Sequence, residues 1–219
     1  MSIRAVVFDY GMVLSGPPDP AARQQLLQIT GMEEAAFEAL YWVDRHAYDR
    51  GDLTGIGFWQ KFARDAGLAL NEEGLAALNH WDSRMWTTEN PAMVRWQQLL
   101  RSQGFATAIL SNMGDSVLAS IESNLSWIAD FDLLIWSYQH GCAKPEAAIY
   151  TLLLDRLGTA PEETLFLDDK EANVEAARKA GIHALPFSTV DQLRQDMISM
   201  RLDEQLPLPG QHSARLRIG

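Results

Sequence analysis

Polar residues that could do chemistry follow short apolar runs at several places in the chain. They are Asp9, the pair Ser111 and Asn112, Lys144, and the pair Asp168 and Asp169. Three carboxylates brought together repel one another unless a cation lies between them, and Mg²⁺ is a usual partner of carboxylate oxygens. A lysine nearby neutralises further charge and binds a phosphoryl oxygen. Together these residue types suit phosphoryl transfer, which depends on positioning and charge neutralisation.

The apolar runs predict strands that would position these residues. The predicted strands cover residues 3–8, 105–110, 131–136, 164–167 and 182–186. Helical patterns between them cover residues 91–103, 116–124, 145–158, 171–180 and 190–200. Alternating strands and helices predict an α/β fold, a doubly wound parallel sheet with helices on both faces. Ligands of such sheets bind outside the carboxyl ends of the strands, where the polar residues lie.

Residues 17–90 interrupt this alternation because they read as helices only. Thr54 and Asn71 are typical helix N-caps, and Gly31, Gly51 and Gly67 are typical helix stops. We expect this block to be an all-helical cap over the strand ends. The predicted α/β core is then residues 1–16 and 91–200, and residues 201–219 form a C-terminal tail outside it. Of the four tryptophans in the block, most are expected to pack its own core and one or two to face the cleft.

Composition excludes some classes of partner. The chain has 219 residues, with 29 acidic and 18 basic side chains and a formal net charge of -11. Nucleic acids and anionic membranes are bound by basic surfaces, so neither is expected as a partner. The single cysteine, Cys142, excludes an internal disulfide and a CxxC metal site. With no apolar run of about 18 residues and no signal-peptide pattern, the sequence predicts a cytoplasmic protein.

Four motifs in this order resemble the haloacid-dehalogenase superfamily. They are FDYGMVL, ILSN, the pair Lys144-Pro145, and FLDDKEANVEAARKAG. The helical block is similar to the family's small C1 cap. Several segments look most like the phosphatase domain fused to soluble epoxide hydrolases: FDYG, YDRGDLTGIGFW, GCAKPEAAIY and FLDDKEANVEAA. The resemblance covers residues 1 to about 200 and implies a Rossmann-like core that hydrolyses small phosphomonoesters with Mg²⁺.

The resemblance also implies catalytic roles. Asp9 matches the nucleophile, which would attack phosphorus and form an aspartyl-phosphate. Ser111 and the backbone of Asn112 match the residues that bind the transferring phosphoryl group. Lys144 matches the lysine that orients the nucleophile and stabilises negative charge.

A metal site is implied as well. Mg²⁺ would be held by Asp9, the backbone carbonyl of Gly11 and Asp169, with Asp168 in contact directly or through water. Asn173 is expected to make a supporting hydrogen bond or a helix-packing contact. Trp42 and Arg45 in the helical block are candidates for substrate contact. The alternative for each is a surface or packing role.

Position 11 departs from the family's pattern. Its phosphatases usually carry a second Asp there, which protonates the leaving group and then activates water. Here the residue is Gly11, so the side chain that would give acid–base assistance is missing, whereas the backbone carbonyl that would bind the metal is retained. Such assistance is typically worth about 10²–10⁴ in rate. We therefore expect either esters with good leaving groups, such as anomeric sugar, aryl or acyl phosphates, or proton transfer through water or the substrate.

Other functions remain open at this point. A phospho-ligand-binding protein without turnover would also explain Gly11. A 2-haloacid dehalogenase would use the same nucleophile without metal, but such a site has little reason to hold two further carboxylates. A phosphomutase would need the missing acid–base residue even more.

Overall fold

The computed structural model describes residues 2–210. Its strands are β1 (Ala5–Phe8), β2 (Ala106–Ser111), β3 (Leu133–Trp136), β4 (Thr164–Asp168) and β5 (His183–Pro186). The helices before β2 are α1 (Pro20–Thr30), α2 (Glu34–Tyr41), α3 (Arg45–Arg50), α4 (Gly55–Asp65), α5 (Glu72–Met85) and α6 (Pro91–Ser102). Those after it are α7 (Asp115–Asn124), α8 (Ala147–Leu157), α9 (Glu171–Lys179) and α10 (Val190–Ser199).

The five strands form one parallel sheet in the order β3-β2-β1-β4-β5. Every residue of β1 and β4 is buried, as expected for central strands covered on both faces. Alternate residues of β1 lie on opposite faces of the sheet: Val6 and Phe8 pack in one core cluster and Val7 packs in the other. The predicted doubly wound parallel α/β fold is confirmed.

The strand order reverses at β1. The chain moves outward from β1 to β2 and β3, then returns to the other side of β1 with β4. The carboxyl ends of β1 and β4 therefore lie side by side, with Leu167 opposite Phe8. This reversal brings Asp9 and Asp168 to the same point of the sheet edge, which is where α/β sheets bind ligands.

Five helices, α1 to α5, lie between β1 and α6, and we refer to residues 17–90 as the helical insertion. Its predicted caps are confirmed: the Thr54 side chain accepts a hydrogen bond from Gly57 N, and Asn71 from Gly74 N. Gly31 and Gly51 end α1 and α3 with positive φ angles of 66° and 90°. The insertion rests on α7, where Gly55 N donates to Asp115 Oδ1 over 2.9 Å.

The tryptophans of the insertion divide as expected. Trp59 is fully buried and Trp81 packs against the core, whereas Trp42 and Trp86 line the cleft.

The segment after α10 differs from the expectation of a tail. Leu202 and Leu206 are buried in the core. Trp96 Nε1 donates to Pro207 O over 2.6 Å, and the backbone N–H of Ile3 donates to the Gln205 side chain over 2.9 Å. The sequence hid this packing because acids and prolines surround the leucines, which leaves no apolar pattern long enough to predict a helix or a strand. The remainder of the predicted tail, residues 211–219, lies outside the described residues.

Two smaller findings concern the helices. Pro145 does not begin α8, which starts two residues later at Ala147, so Lys144 lies in a turn before the helix. Among residues 2–210, no helix combines the length and the apolar character needed to cross a membrane.

Candidate active site

A cavity of about 240 Å³ lies between the carboxyl edge of the sheet and the helical insertion. Its floor is formed by residues predicted from the motifs: Asp9, Gly11, Ser111, Asn112, Lys144 and Asp169. Its walls include residues of the insertion and of neighbouring turns: Met12, Trp42, Arg45, Asp49, Trp86 and Lys170. The fold thus gathers at one site polar residues that lie far apart in the sequence.

Lys144 joins two of the carboxylates. Its Nζ lies 2.9 Å from Asp9 Oδ1 and 2.5 Å from Asp168 Oδ2. All three side chains are almost completely buried. Two carboxylates share one ammonium, so the group keeps an excess negative charge before any ligand arrives.

Burial governs the protonation of this group. It raises the pKa of the Asp9 carboxyl to about 6, against the opposing attraction of Lys144. Burial and the neighbouring Asp168 charge also raise the pKa of Asp169. Although burial lowers the pKa of the Lys144 ammonium, Asp168 and Asp9 together raise it above its ordinary value. Lys144 therefore keeps its positive charge. This single charge does not balance the negative charges of the three carboxylates around it.

Asp168 is held by more than the lysine. Its Oδ1 accepts hydrogen bonds of 2.9 Å from Lys170 N and from Asn173 Nδ2. Both donors come from the start of α9, so this helix fixes the carboxylate of the last residue of β4. The expected supporting hydrogen bond of Asn173 is present.

The donor set suits a hard divalent cation. One carboxylate oxygen from each of Asp9, Asp168 and Asp169 lies within 4.8 Å of the other two. These oxygens are the ligands that Mg²⁺ prefers, and the burial of Asp9 and Asp168 disfavours leaving their charges uncompensated. The residues present therefore fit a magnesium site.

Position 11 is open. The φ and ψ angles of Gly11 are −61° and 130°, which other residues adopt readily. Among residues 2–210, a Cβ built there would meet only Asp9 Oδ2, at 3.9 Å. Neither backbone strain nor crowding at the Cβ position therefore requires glycine, and the position lines the cavity.

Ser111, the last residue of β2, and Asn112, the next residue, have different partners. The Ser111 side chain lines the cavity and, among residues 2–210, its hydroxyl has no protein hydrogen bond. The Asn112 side chain instead holds the backbone of Lys144: its Nδ2 donates to Lys144 O and its Oδ1 accepts from Lys144 N, each over 2.8 Å. The backbone of Asn112 is therefore the part left for a ligand.

Arg45 is not a free cation, although it lines the cavity. Its Nε lies 3.0 Å from Asp49 Oδ1 and its Nη1 lies 3.2 Å from Asp82 Oδ1. The hydroxyl of Tyr41 donates to Asp82 over 2.7 Å and also contacts Arg45. Two carboxylates thus neutralise the guanidinium, so Arg45 is a poor receptor for a second anionic group on a substrate.

Sequence reasoning missed two charged cavity residues. Asp49 lies in the insertion, and Lys170 follows the acidic pair, with its Nζ 5.8 Å from the ring centre of Trp42. A local sequence pattern does not predict that a residue of a helix will line a site at the end of a distant strand. The hypothesis that Trp42 faces the cleft agrees with its 45% exposure at the cavity wall.

Fold and site together define a hydrolase-type α/β protein with an acidic centre at the strand edge beneath a helical insertion. Residues 56–181 match the model of the haloacid dehalogenase-like hydrolases. Because this match covers more than half of the chain, the chain belongs to that family.

Curated relatives agree with the family. The chain is 30% identical to Bifunctional epoxide hydrolase 2 of Sus scrofa, over 90% of this chain and 38% of that protein. It is 29% identical to Phosphatase MT3486 of Mycobacterium tuberculosis, over 90% of this chain and 93% of that protein. Other relatives are far longer: the chain spans 18% of mouse Acyl-CoA dehydrogenase family member 10, to which it is 30% identical.

A solved structure agrees with the fold. The HAD family enzyme BT-2542 of Bacteroides thetaiotaomicron, crystallised with magnesium and inorganic phosphate, superposes with a TM-score of 0.70. The superposition covers 85% of this chain and 95% of that one, at 20% sequence identity.

Proposed function

We propose that the protein is a Mg²⁺-dependent phosphatase that hydrolyses small phosphomonoesters through an aspartyl-phosphate on Asp9. The observation that carries the proposal is the buried contact of Lys144 with Asp9 and Asp168, beside Asp169 and a free Ser111 hydroxyl. Within residues 2–210, this arrangement offers a nucleophile, a cation and a hydrogen-bond donor at one strand edge. The similarity to Phosphatase MT3486 supports the same reaction.

Asp9 is oriented for attack by its own contacts. Its Oδ1 accepts hydrogen bonds from Tyr10 N over 2.7 Å and from Lys144. In the proposed first step an Asp9 oxygen forms a bond to phosphorus, and the bond between phosphorus and the ester oxygen breaks. In the second step a water oxygen forms a bond to phosphorus and the bond between phosphorus and the Asp9 oxygen breaks. Inorganic phosphate leaves with the protons of that water, and the Asp9 carboxylate is restored. Lys144 and Ser111 stabilise the phosphoryl oxygens as their charge shifts.

Asp9, Asp169 and the Gly11 carbonyl are proposed to hold Mg²⁺, with Asp168 in contact directly or through water. When bound, the cation neutralises phosphoryl charge and brings the phosphate close to the carboxylate. The magnesium and phosphate in crystals of BT-2542 support this assignment.

The substrate is proposed to be a small phosphorylated metabolite with a good leaving group. No side chain at Gly11 supplies a proton, so the leaving oxygen takes one from water or from the substrate. The cavity of about 240 Å³ limits the size of the group next to the phosphate, and Arg45, which is paired with Asp49 and Asp82, is not available to bind a second anionic group. We further propose that the helical insertion acts as a cap, which admits substrate and excludes water.

The acidic cluster favours this reaction over dehalogenation. A metal-free attack on carbon has no need of Asp168 and Asp169 beside the nucleophile. Release of halide from chloroacetate in the presence of EDTA would instead support a dehalogenase.

The test is a panel of phosphomonoesters assayed with Mg²⁺. Wild type is expected to release phosphate from at least one ester, whereas Asp9→Asn and EDTA-treated protein release none. The matched control is Asp155→Asn, a change at an exposed aspartate of α8, which is expected to match wild type. Equal phosphate release by wild type and Asp9→Asn would refute the mechanism. A trapped phosphoprotein without release of phosphate would favour the non-catalytic alternative.

A further inference from the structure

Every ion pair that joins the helical insertion to the rest of residues 2–210 ends on the same carboxylate, Glu146. Arg50 Nη1 lies 2.7 Å from both of its oxygens. His46 Nε2 lies 3.7 Å from Oε1. The other ion pairs of this part of the chain connect residues within the insertion or within the remainder. The electrostatic link between the two parts is therefore concentrated at one position.

Glu146 belongs to the turn that carries Lys144. Its Oε1 accepts a hydrogen bond from Ala143 N over 3.3 Å, and its own N–H donates to Ala143 O over 2.8 Å. The turn is thereby closed across Lys144 and Pro145. On the opposite side, Asn112 makes its two hydrogen bonds to the backbone of Lys144. The lysine backbone thus lies between Asn112, which belongs to the sheet edge, and Glu146, which is bonded to Arg50.

The placement of Lys144 has little tolerance. Its Nζ contacts two carboxylates at 2.9 and 2.5 Å in a buried site. A shift of the turn by about 1 Å would lengthen one of these contacts, and misplacements of that size cost up to about 10²-fold in rate.

Arg50 is itself held against the core. It ends α3, and the next residue, Gly51, approaches Tyr138 so closely that a Cβ there would lie 2.4 Å from the Tyr138 carbonyl oxygen. The hydroxyl of Ser137 donates to Asp49 O and accepts from Met113 N over 2.9 Å. Arg50 therefore approaches Glu146 from a fixed point of the insertion.

We infer that Arg50 is a positioning residue for the proposed phosphoryl transfer. Through Glu146 it holds the turn that presents Lys144 to Asp9 and Asp168, so that the seating of the insertion and the placement of the lysine are coupled. This inference rests on the proposed function. It assigns a role in turnover to a half-exposed residue that is neither the nucleophile nor a metal ligand.

Most surface ion pairs contribute little to stability, so the test must separate positioning from packing. Arg50→Gln and Glu146→Gln each remove one charge, and the amide introduced by Glu146→Gln keeps an oxygen that can accept from Ala143. The control is Arg84→Gln. Arg84 also connects the insertion to the remainder, from α5 to Asn124 of α7, over 3.2 Å and away from the Lys144 turn.

Steady-state kinetics with p-nitrophenyl phosphate and Mg²⁺ give the first readout. Arg50→Gln and Glu146→Gln are expected to lower kcat about tenfold or more with a smaller change in KM, within the range that misplacement of a reacting group costs. Arg84→Gln is expected to stay within about twofold of wild type. The double variant is expected to be no slower than the slower single variant, because both changes remove one link. Equal kcat losses in Arg50→Gln and Arg84→Gln, or multiplied losses in the double variant, would overturn the inference.

Crystal structures of the variants give a second readout that does not depend on turnover. In Arg50→Gln the distance from Lys144 Nζ to Asp9 is expected to exceed about 3.5 Å, beyond hydrogen-bond range, or to vary between copies, whereas Arg84→Gln retains 2.9 Å. An unmoved Lys144 in Arg50→Gln would contradict the inference. If wild type hydrolyses no ester on the panel, the proposed function fails, and a displaced Lys144 still supports the positioning link.

Discussion

At the scale of single residues, the centre of the site is an imbalance of charge. Asp9 and Asp168 share one buried ammonium, and Asp169 adds a third carboxylate nearby. Removing one partner of a buried pair leaves the other charge uncompensated, which costs more than the pair itself contributes. The structure therefore predicts that Lys144 matters for stability as well as for turnover.

Lys144→Met is expected to lower kcat by at least about 10²-fold and to destabilise the metal-free protein by about 3–5 kcal/mol. Mg²⁺ is expected to restore more stability in this variant than in wild type, because the cation compensates the same carboxylates. Urea unfolding with and without Mg²⁺ measures the effects on stability, and steady-state kinetics measure kcat. Lys179→Met, a change at the end of α9, serves as the control. Equal stabilisation of Lys144→Met and Lys179→Met by Mg²⁺ would contradict the expectation.

Gly11 sets the second expectation at this scale. The position accepts a side chain without strain, so Gly11→Asp tests whether the missing acid limits the leaving group. For wild type we expect kcat/KM to fall steeply as the leaving-group pKa rises along a series of aryl phosphates. Gly11→Asp is expected to flatten this dependence and to gain up to about 10²-fold on the poorest leaving groups. A flat dependence in wild type, unchanged in the variant, would refute the idea.

At the scale of elements, a buried network holds three helices of the insertion together. Arg45 of α3 contacts Asp82 of α5, and Tyr41 of α2 donates to the same carboxylate. Phe37, Phe58 and Trp59 surround the Tyr41 ring. Trp42 follows α2 and Asp49 lies in α3, and both line the cavity. The network therefore fixes the helices that carry part of the cavity wall.

Asp82→Ala is expected to destabilise the protein by about 1–3 kcal/mol, because the buried Tyr41 hydroxyl loses its acceptor, whereas Arg45 keeps its ion pair with Asp49. Asp65→Ala removes an exposed ion pair with Lys61, which solvent screens, and is expected to change the stability much less than Asp82→Ala. Urea unfolding compares the two variants. Similar losses would show that the Tyr41 hydroxyl finds another acceptor in Asp82→Ala.

At the scale of the whole molecule, the seating of the insertion on the core depends on close backbone approach. Gly51 has a φ of 90° and faces the Tyr138 carbonyl. Gly31 has a φ of 66°, and no other atom of residues 2–210 lies within 4 Å of a Cβ built there. The two glycines therefore separate backbone strain from interface packing.

Gly31→Ala is expected to cost about 1–2 kcal/mol, from the left-handed backbone alone. Gly51→Ala adds a clash with the core, which costs about 1–3 kcal/mol more, and it is expected to lower kcat/KM as the insertion is displaced. Thermal unfolding and kinetics measure both variants. Equal stability with unchanged kcat/KM would show that the insertion adjusts without affecting the site.

Part of the net charge of -11 is concentrated at the candidate active site. Three of the acids converge at the strand edge, where Lys144 and a divalent cation would balance their formal charge. An acidic protein can therefore receive an anionic ester in this cleft.

The sequence by itself determined the sheet and the floor of the site. Apolar runs of strand length, ended by Asp9, Ser111 and Asp168, follow from local rules of burial and turn chemistry. These rules predicted the five strands to within a few residues and placed the polar ends at one edge. The family motifs then assigned a hypothetical role to each of them.

Only the tertiary structure decided what surrounds that floor. It showed that Arg45 is neutralised by Asp49 and Asp82, that Leu202 and Leu206 join the core, and that Arg50 reaches Glu146. Most of these contacts cross from one element to another and join residues that are distant in the sequence. Periodicity and capping describe neighbours along the chain, so they carry no record of which distant charge a side chain will meet once the helices pack.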